Sequence, residues 1–146
     1  MFEKDLKTGQ EAEIKFCNYL IQQGKKVIRT YGLNKDWDVA TYNNNQIETT
    51  FEVKNDVLYN STGNLAIEYA FKGQKSGIRA TKAEYMAIYT LTKIFILKTQ
   101  DLKDWINLNK QFLKTSKGGD EFKSDIVLIR SKDLVNNSWC EIKELE

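Results

Sequence analysis

The sequence has no histidine, no proline and only two cysteines among its 146 residues. Without imidazole, Ser-His-Asp hydrolysis, histidine–metal nucleases and His₂Cys₂ zinc sites are all excluded. Any hydrolytic chemistry has to run on carboxylates, lysine, hydroxyls or a hard metal ion. Without proline, turns must rest on Gly, Asn and Asp. Cys17 and Cys140 lack the spacing of a metal site and are too few for a disulfide framework, so the expectation is a reduced, cytoplasmic protein. No apolar run approaches the roughly 18 residues of a membrane span. The opening MFEKDLKTGQ has no apolar stretch, so neither a span nor a signal peptide is expected.

What is present fits one globular domain, residues 1–146, long enough to bury roughly two-thirds of its unfolded surface. A net charge of +2 decides nothing as a total, but its distribution is uneven. Lys72, Lys75, Arg79 and Lys82 follow one another with no acid between them, and so do Lys110, Lys114 and Lys117. Carboxylates gathered elsewhere would mask such basic surfaces in the total, so phosphate binding is compatible with it.

Periodicity and turn signals predict a mixed α/β domain. An amphipathic helix runs from about Asp5 to Gln23, with Gly24 as its stop. Val27 to Thr30 reads as a short strand. Trp37 to Tyr42 and Gln46 to Lys54 read as two strands joined through Asn43-Asn44-Asn45, where Asn tolerates the positive φ of a hairpin turn. Leu65 to Phe71 is a further strand, entered through Ser61-Thr62-Gly63-Asn64. Thr81-Lys82-Ala83-Glu84 has the form of a capping box and predicts a helical turn. Tyr85 to Thr90 pairs with Ile94 to Lys98 as a strand hairpin. Asp101 to Leu113 is a second amphipathic helix burying Leu102 and Ile106 with Trp105 and Leu113. Ile126 to Arg130 and Trp139 to Lys143 complete the strands.

Within that layout, Glu52-Val53-Lys54 is the most informative segment. Glu-x-Lys occurs four times in the chain, and as a motif it carries no weight in a sequence this rich in charge. The copy at Glu52 differs by its setting. Strand alternation puts Glu52 and Lys54 on one face and Val53 on the other. The polar Asn55-Asp56 that follows predicts a strand end opening at a surface. The hairpin partner strand begins beside Asp38, a residue poorly suited to a strand unless it has a partner or a task. Asp36 competes with it, but Asp38 immediately precedes the apolar pair Val39-Ala40 and lies closer to Glu52 in register. Two carboxylates and one ammonium then converge as a site for Mg²⁺ and a phosphodiester.

The first helix adds a second observation. At about 100° per residue, Leu6, Phe16, Cys17, Leu20 and, marginally, Ile21 share a face with Glu13 in its middle. Glu11 lies opposite with Lys15, Asn18 and Gln22. A carboxylate centred on an apolar stripe needs an ion-pair partner or a nearby metal. Glu13 therefore either pairs with a Lys or Arg, or is aimed at the site of Asp38, Glu52 and Lys54.

Glu13 on a helix, Asp38 opening a strand and Glu52-Val53-Lys54 on its hairpin partner resemble the PD-(D/E)xK nuclease superfamily. Their order is similar to that of its small Holliday-junction resolvases and phage nucleases. Gly9-Gln10-Glu11-Ala12-Glu13 resembles the G-x-x-x-E opening of resolvase-like members. Gly63-Asn64-Leu65 through Gly77-Ile78, and Thr81 to Tyr85, more weakly resemble stretches in phage members. The resemblance covers roughly residues 9 to 90. Trp37 stands where the name-giving proline would be, a position at which that proline is often missing.

The resemblance implies a restriction-endonuclease-like core, α-β-β-β-α-β, with a mixed central sheet flanked by helices, and Mg²⁺ or Mn²⁺ as cofactor. It implies metal-dependent hydrolysis of DNA with Glu13, Asp38, Glu52 and Lys54 as catalytic residues. Asp38, Glu52 and the Val53 carbonyl would be the metal ligands, and Lys54 would orient water or neutralise an oxyanion. Glu13 would hold a second metal or a metal-bound water. Lys72, Lys75, Arg79 and Lys82 would bind the DNA backbone, with Gly73 and Gly77 letting that loop approach a ligand and with Tyr69 and Phe71 in the core. A resolvase-like enzyme needs two sites about a twofold axis, so a homodimer is the conditional expectation. Two other readings stand beside it. One is a catalytically silent nucleic-acid-binding or assembly domain of the same fold. The other is an interaction domain whose Glu13 and Lys54 pair with each other.

Overall fold

The computed structural model describes residues 2–30, 36–118 and 123–145, with side chains given from Gly9 onward. Leu6, assigned to the apolar stripe, and Glu121 of the third Glu-x-Lys fall outside the described side chains. Helix α1 spans Phe2–Gln22. It stops where Gly24 adopts φ 82°, with Gly24 N–H donating to the Ile21 carbonyl at 2.9 Å and Lys25 N–H to the Leu20 carbonyl at 3.0 Å. This paired closure is the glycine stop read from the sequence.

Strands β1 (Lys26–Arg29), β2 (Val39–Asn43) and β3 (Gln46–Asn55) follow as an antiparallel meander. Asn44 and Asn45 take φ 52° and 64°, the doubly left-handed turn that suits strand twist. After a one-turn helix α2 (Tyr59–Thr62) come β4 (Asn64–Phe71) and β5 (Gln74–Lys75). A 3₁₀ turn at Gly77–Arg79 then leads to the hairpin β6 (Tyr85–Tyr89) and β7 (Lys93–Lys98). Helix α3 (Thr99–Asn109) ends in a 3₁₀ turn at Lys110–Phe112. Strands β8 (Lys114–Gly118), β9 (Ser124–Arg130) and β10 (Cys140–Glu144) finish the chain.

These strands build two sheets. The larger is mixed, in the order β1-β2-β3-β6-β7-β10, with β3 and β6 its parallel pair. The smaller is antiparallel, in the order β5-β4-β9-β8. Helix α1 covers one face of the mixed sheet, packing Ala12, Phe16, Cys17 and Leu20 against Val39, Phe51, Val53, Ala87 and Ile94. On the other face Met86, Ile88, Phe95 and Leu97 meet Leu65, Ile67, Val127 and Ile129 of the smaller sheet and Leu102 of α3. The expected flanking helix is therefore present on one side. The second side is closed by a sheet together with α3, because β4 pairs with β9 some sixty residues later.

Several local expectations change. Thr81 to Glu84 does not open a helix; it is irregular, with a bend at Glu84 just before β6. Its donors are taken by neighbours, with Ala83 N–H donating to Thr81 Oγ1 at 3.2 Å and Glu84 N–H to Thr50 Oγ1 at 2.9 Å. The crossover joining parallel β3 and β6 therefore carries only α2, β4, β5 and the 3₁₀ turn, with no long helix. Ile21, marginal on the stripe, is exposed. Of Asn55-Asp56 only Asn55 is exposed; Asp56 is buried and accepts the Ala66 N–H at 2.8 Å, tying β3 to β4. Phe71 is exposed beneath the Lys72 ammonium, whereas Tyr69 packs against the core.

Candidate active site

Strand β2 leaves the mixed sheet at Asp38, and this departure makes the site. The pairing of Val39 with Phe51 is the last in the ladder, and Asp38 N–H donates to the Phe51 carbonyl at 2.9 Å. One step on, the Asp38 carboxylate replaces the missing strand and accepts the Val53 N–H at 2.8 Å. A residue's N–H and C=O leave an extended strand on the same edge, so the Val53 carbonyl faces this gap too.

Glu52 and Lys54 lie where alternation places them. Phe51 and Val53 pack towards α1, so Glu52 and Lys54 occupy the opposite face. The Lys54 ammonium is 3.5 Å from Glu52 Oε1, and the Thr81 hydroxyl donates to Glu52 Oε2 at 3.0 Å. The Glu52 side chain is 15% exposed, whereas Asp36 is 56% exposed and paired with Lys82 at 3.8 Å. The half-buried Asp38, not Asp36, shares the site with Glu52.

Asp38, Glu52 and Glu13 are each held above the ordinary carboxylate value, chiefly by burial. For Asp38 the Val53 N–H, Lys54 and Arg29 work against that rise. For Glu52 the Lys54 charge opposes it while the Asp38 charge adds to it. Buried carboxylates that repel each other are a place where a cation is welcome. Among the described residues no three Asp, Glu or Cys side chains gather closely enough to hold a metal ion. Two carboxylates and a backbone carbonyl are hard oxygens, the donor chemistry that would suit Mg²⁺ with water completing its shell.

Glu13 lies on the α1 face of the sheet, across from Glu52. Its Oε2 accepts from Arg29 Nη2 at 2.8 Å and Nε at 3.0 Å, realising the Glu–Arg pair left open by the sequence. It does not pair with Lys54, whose ammonium sits on Glu52. Burial raises the Glu13 carboxyl, the Arg29 hydrogen bonds lower it, and the Asp38 charge raises it again, so it is felt at the site. Glu13→Gln should cost about 1–2 kcal/mol through the broken charge-assisted bonds. Glu11→Gln, on the exposed face, should shift the urea midpoint very little. Equal midpoint shifts would remove Arg29 from this account.

The four basic residues of the 71–82 segment do not form one patch. Lys72 caps the β4–β5 turn over Phe71, Lys82 pairs with Asp36, and Lys75 with Arg79 lines a separate cleft. Gly77 does not serve an approaching ligand either, since a Cβ there would overlap the Glu68 backbone carbonyl. Three participants escaped the sequence reading. Thr81 has the local form of a helix cap, Arg29 is one residue of a short strand, and Glu68 lines a cavity of about 250 Å³ together with Lys54. The only sequence signal for any of them was the need of Glu13 for a cation. Compared with known proteins, the chain matches no family model, no curated protein and no solved structure.

Proposed function

We propose that this protein is a metal-dependent DNA endonuclease of the PD-(D/E)xK type, its core made by α1, β1–β3, β6 and β7. The observation that carries the reading is the convergence of Asp38 and Glu52. Both are part-buried, they lie together where β2 leaves β3, and Lys54 stands on Glu52. Asp38, Glu52 and the Val53 carbonyl would hold Mg²⁺ or Mn²⁺. Such an ion polarises a phosphate and lowers the pKa of an attacking water. Lys54, with a half-exposed ammonium, orients that water or neutralises charge developing on the phosphoryl oxygens. Thr81 fixes the Glu52 carboxylate, and the Glu13–Arg29 ion pair stands behind the sheet. Lys75 and Arg79 in their cleft, and Lys72 on a separate surface, would each neutralise a backbone phosphate, as would Lys82 on releasing Asp36, which positions DNA without reading its sequence.

The test is cleavage of a panel of junction, flap and linear duplex DNAs with Mg²⁺ and with EDTA. Cutting of at least one substrate with Mg²⁺ alone is expected, and a resolvase-like preference would appear as symmetric junction cleavage by a homodimer. Binding without cutting across the panel would overturn the enzymatic reading in favour of a DNA-binding domain. Lys54→Arg should lose more than about tenfold in rate, or 1.4 kcal/mol, because a planar fork cannot replace a compact ammonium beside a water. Near-normal turnover would reduce Lys54 to a general electrostatic role.

A further inference from the structure

One cavity lies away from the carboxylates. It measures about 540 Å³ and lies between α3, the 3₁₀ turn at Gly77–Arg79 and the smaller sheet. Lys75 and Arg79 enter it from the crossover, and Lys103 and Lys110 from α3 and its end. These cations are far apart in sequence, and only the packing of α3 on the crossover turn unites them. No carboxylate among the described residues lines the cavity. Nor does any described carboxylate pair with one of the four, although Lys82, Lys117 and Arg130 all have acidic partners. The rest of the lining is largely apolar, with Ile78, Ile106, Val127 and Tyr69 beside Asn107 and Thr115.

Four like charges around one cavity, with no acidic partner among the described residues, repel each other, and an anion reverses the sign of that interaction. The volume falls within the range of small-molecule sites, about 300–1,000 Å³. Cations beside a largely apolar, partly aromatic lining suit a molecule with a phosphate at one end and a flat apolar face at the other. We propose that this cleft is a nucleotide-binding site. It holds phosphate through Lys75, Arg79, Lys103 and Lys110 and seats a base against Tyr69 and Ile106. The inference stands on the cleft alone and requires no cleavage at Asp38 and Glu52. The two sites are nonetheless joined, because Arg79 lies two residues from Thr81, whose hydroxyl holds Glu52.

The experiment is fluorescence anisotropy of a labelled short oligothymidylate with the full chain, in EDTA, over a salt series. Lys103→Gln/Lys110→Gln leaves the buried Leu102 face of α3 untouched, and a thermal melt checks that it is folded. Its expected effect is a loss of about tenfold or more in affinity at low salt. Its salt slope should flatten by about 1.4, the value for two contacts on a single strand. Lys26→Gln/Lys132→Gln, far from the cleft, should leave slope and affinity near wild type. Competition by free dAMP would identify a mononucleotide as occupant, and competition by oligonucleotide alone would identify a strand; either supports the site. Absence of binding by both probes, an unchanged slope in the α3 double variant, or an equal loss in the control variant would overturn it. A protein that cleaves DNA with an unchanged slope loses the cleft and keeps the nuclease reading. One that never cleaves but shows the flattened slope does the reverse.

Discussion

Glu52→Gln is expected to abolish Mg²⁺-dependent cleavage, by on the order of 10²–10³-fold, while making the metal-free protein more stable. Both effects have one cause. Burial, partly offset by the Lys54 charge and reinforced by the Asp38 charge, holds the Glu52 carboxyl above its ordinary value of 4.5 in the folded state, so its ionised form costs more there than in the unfolded chain. The folded protein binds this proton to a higher pH than the unfolded chain does. Stability of the metal-free protein therefore falls as pH rises from the ordinary values, 3.8 for Asp38 and 4.5 for Glu52, through the raised folded values, and levels off above them.

Thermal unfolding in EDTA from about pH 4 to about pH 8 should show this decline in wild type and a shallower one in Glu52→Gln. At neutral pH the substitution should raise the midpoint by a few degrees, and Mg²⁺ should raise it in wild type only. Asp38→Asn should match the loss of activity with less gain in stability, since the Asp38 carboxylate also accepts the Val53 N–H. Asp36→Ala, at an exposed side chain, should keep its activity. Wild-type turnover by Glu52→Gln, or a metal-dependent midpoint in it equal to wild type, would remove Glu52 from the site.

Gly77→Ala is expected to cost more than about 3 kcal/mol, the largest effect of any glycine substitution in the described chain. Its φ is +54°, and an added Cβ would overlap the Glu68 carbonyl oxygen and lie 2.8 Å from that carbonyl carbon. Neither atom can move without breaking β4. The 3₁₀ turn would have to lift, drawing Ile78, 2% exposed, out of the core, and shifting Arg79 from the cleft and Thr81 from Glu52. Two other glycines calibrate the claim. Gly63→Ala, φ +72° in open space, carries only the left-handed penalty, about 1 kcal/mol. At Gly118 the obstacle is the tip of the Ile126 side chain, which can rotate away. Urea denaturation of the three variants checks the order, and a Gly77→Ala midpoint equal to that of Gly63→Ala would refute the close approach.

The sequence by itself determined what depends on neighbours along the chain. Gly24 ends α1 because only glycine enters the left-handed region freely, and Asn44-Asn45 turns β2 into β3 for the same kind of reason. Alternation put Glu52 and Lys54 on one face, and hairpin register brought Asp38 beside them, so the two carboxylates and their lysine were legible before any tertiary information. Composition had already removed histidine chemistry. Tertiary structure alone decided what depends on distant pairings. Thr81 reads as a helix cap locally, but the Glu84 N–H donates to Thr50 instead, and the Thr81 hydroxyl donates to Glu52, twenty-nine residues away. The helical face of Glu13 suits a metal or a cation alike, and only the placing of β1 beside α1 brings Arg29 to it. The smaller sheet, and the four-cation cleft it forms with α3, exist because β4 finds β9 and apolar faces must be covered. Local dihedral preference cannot select among such partners; only the burial gained by the whole fold does.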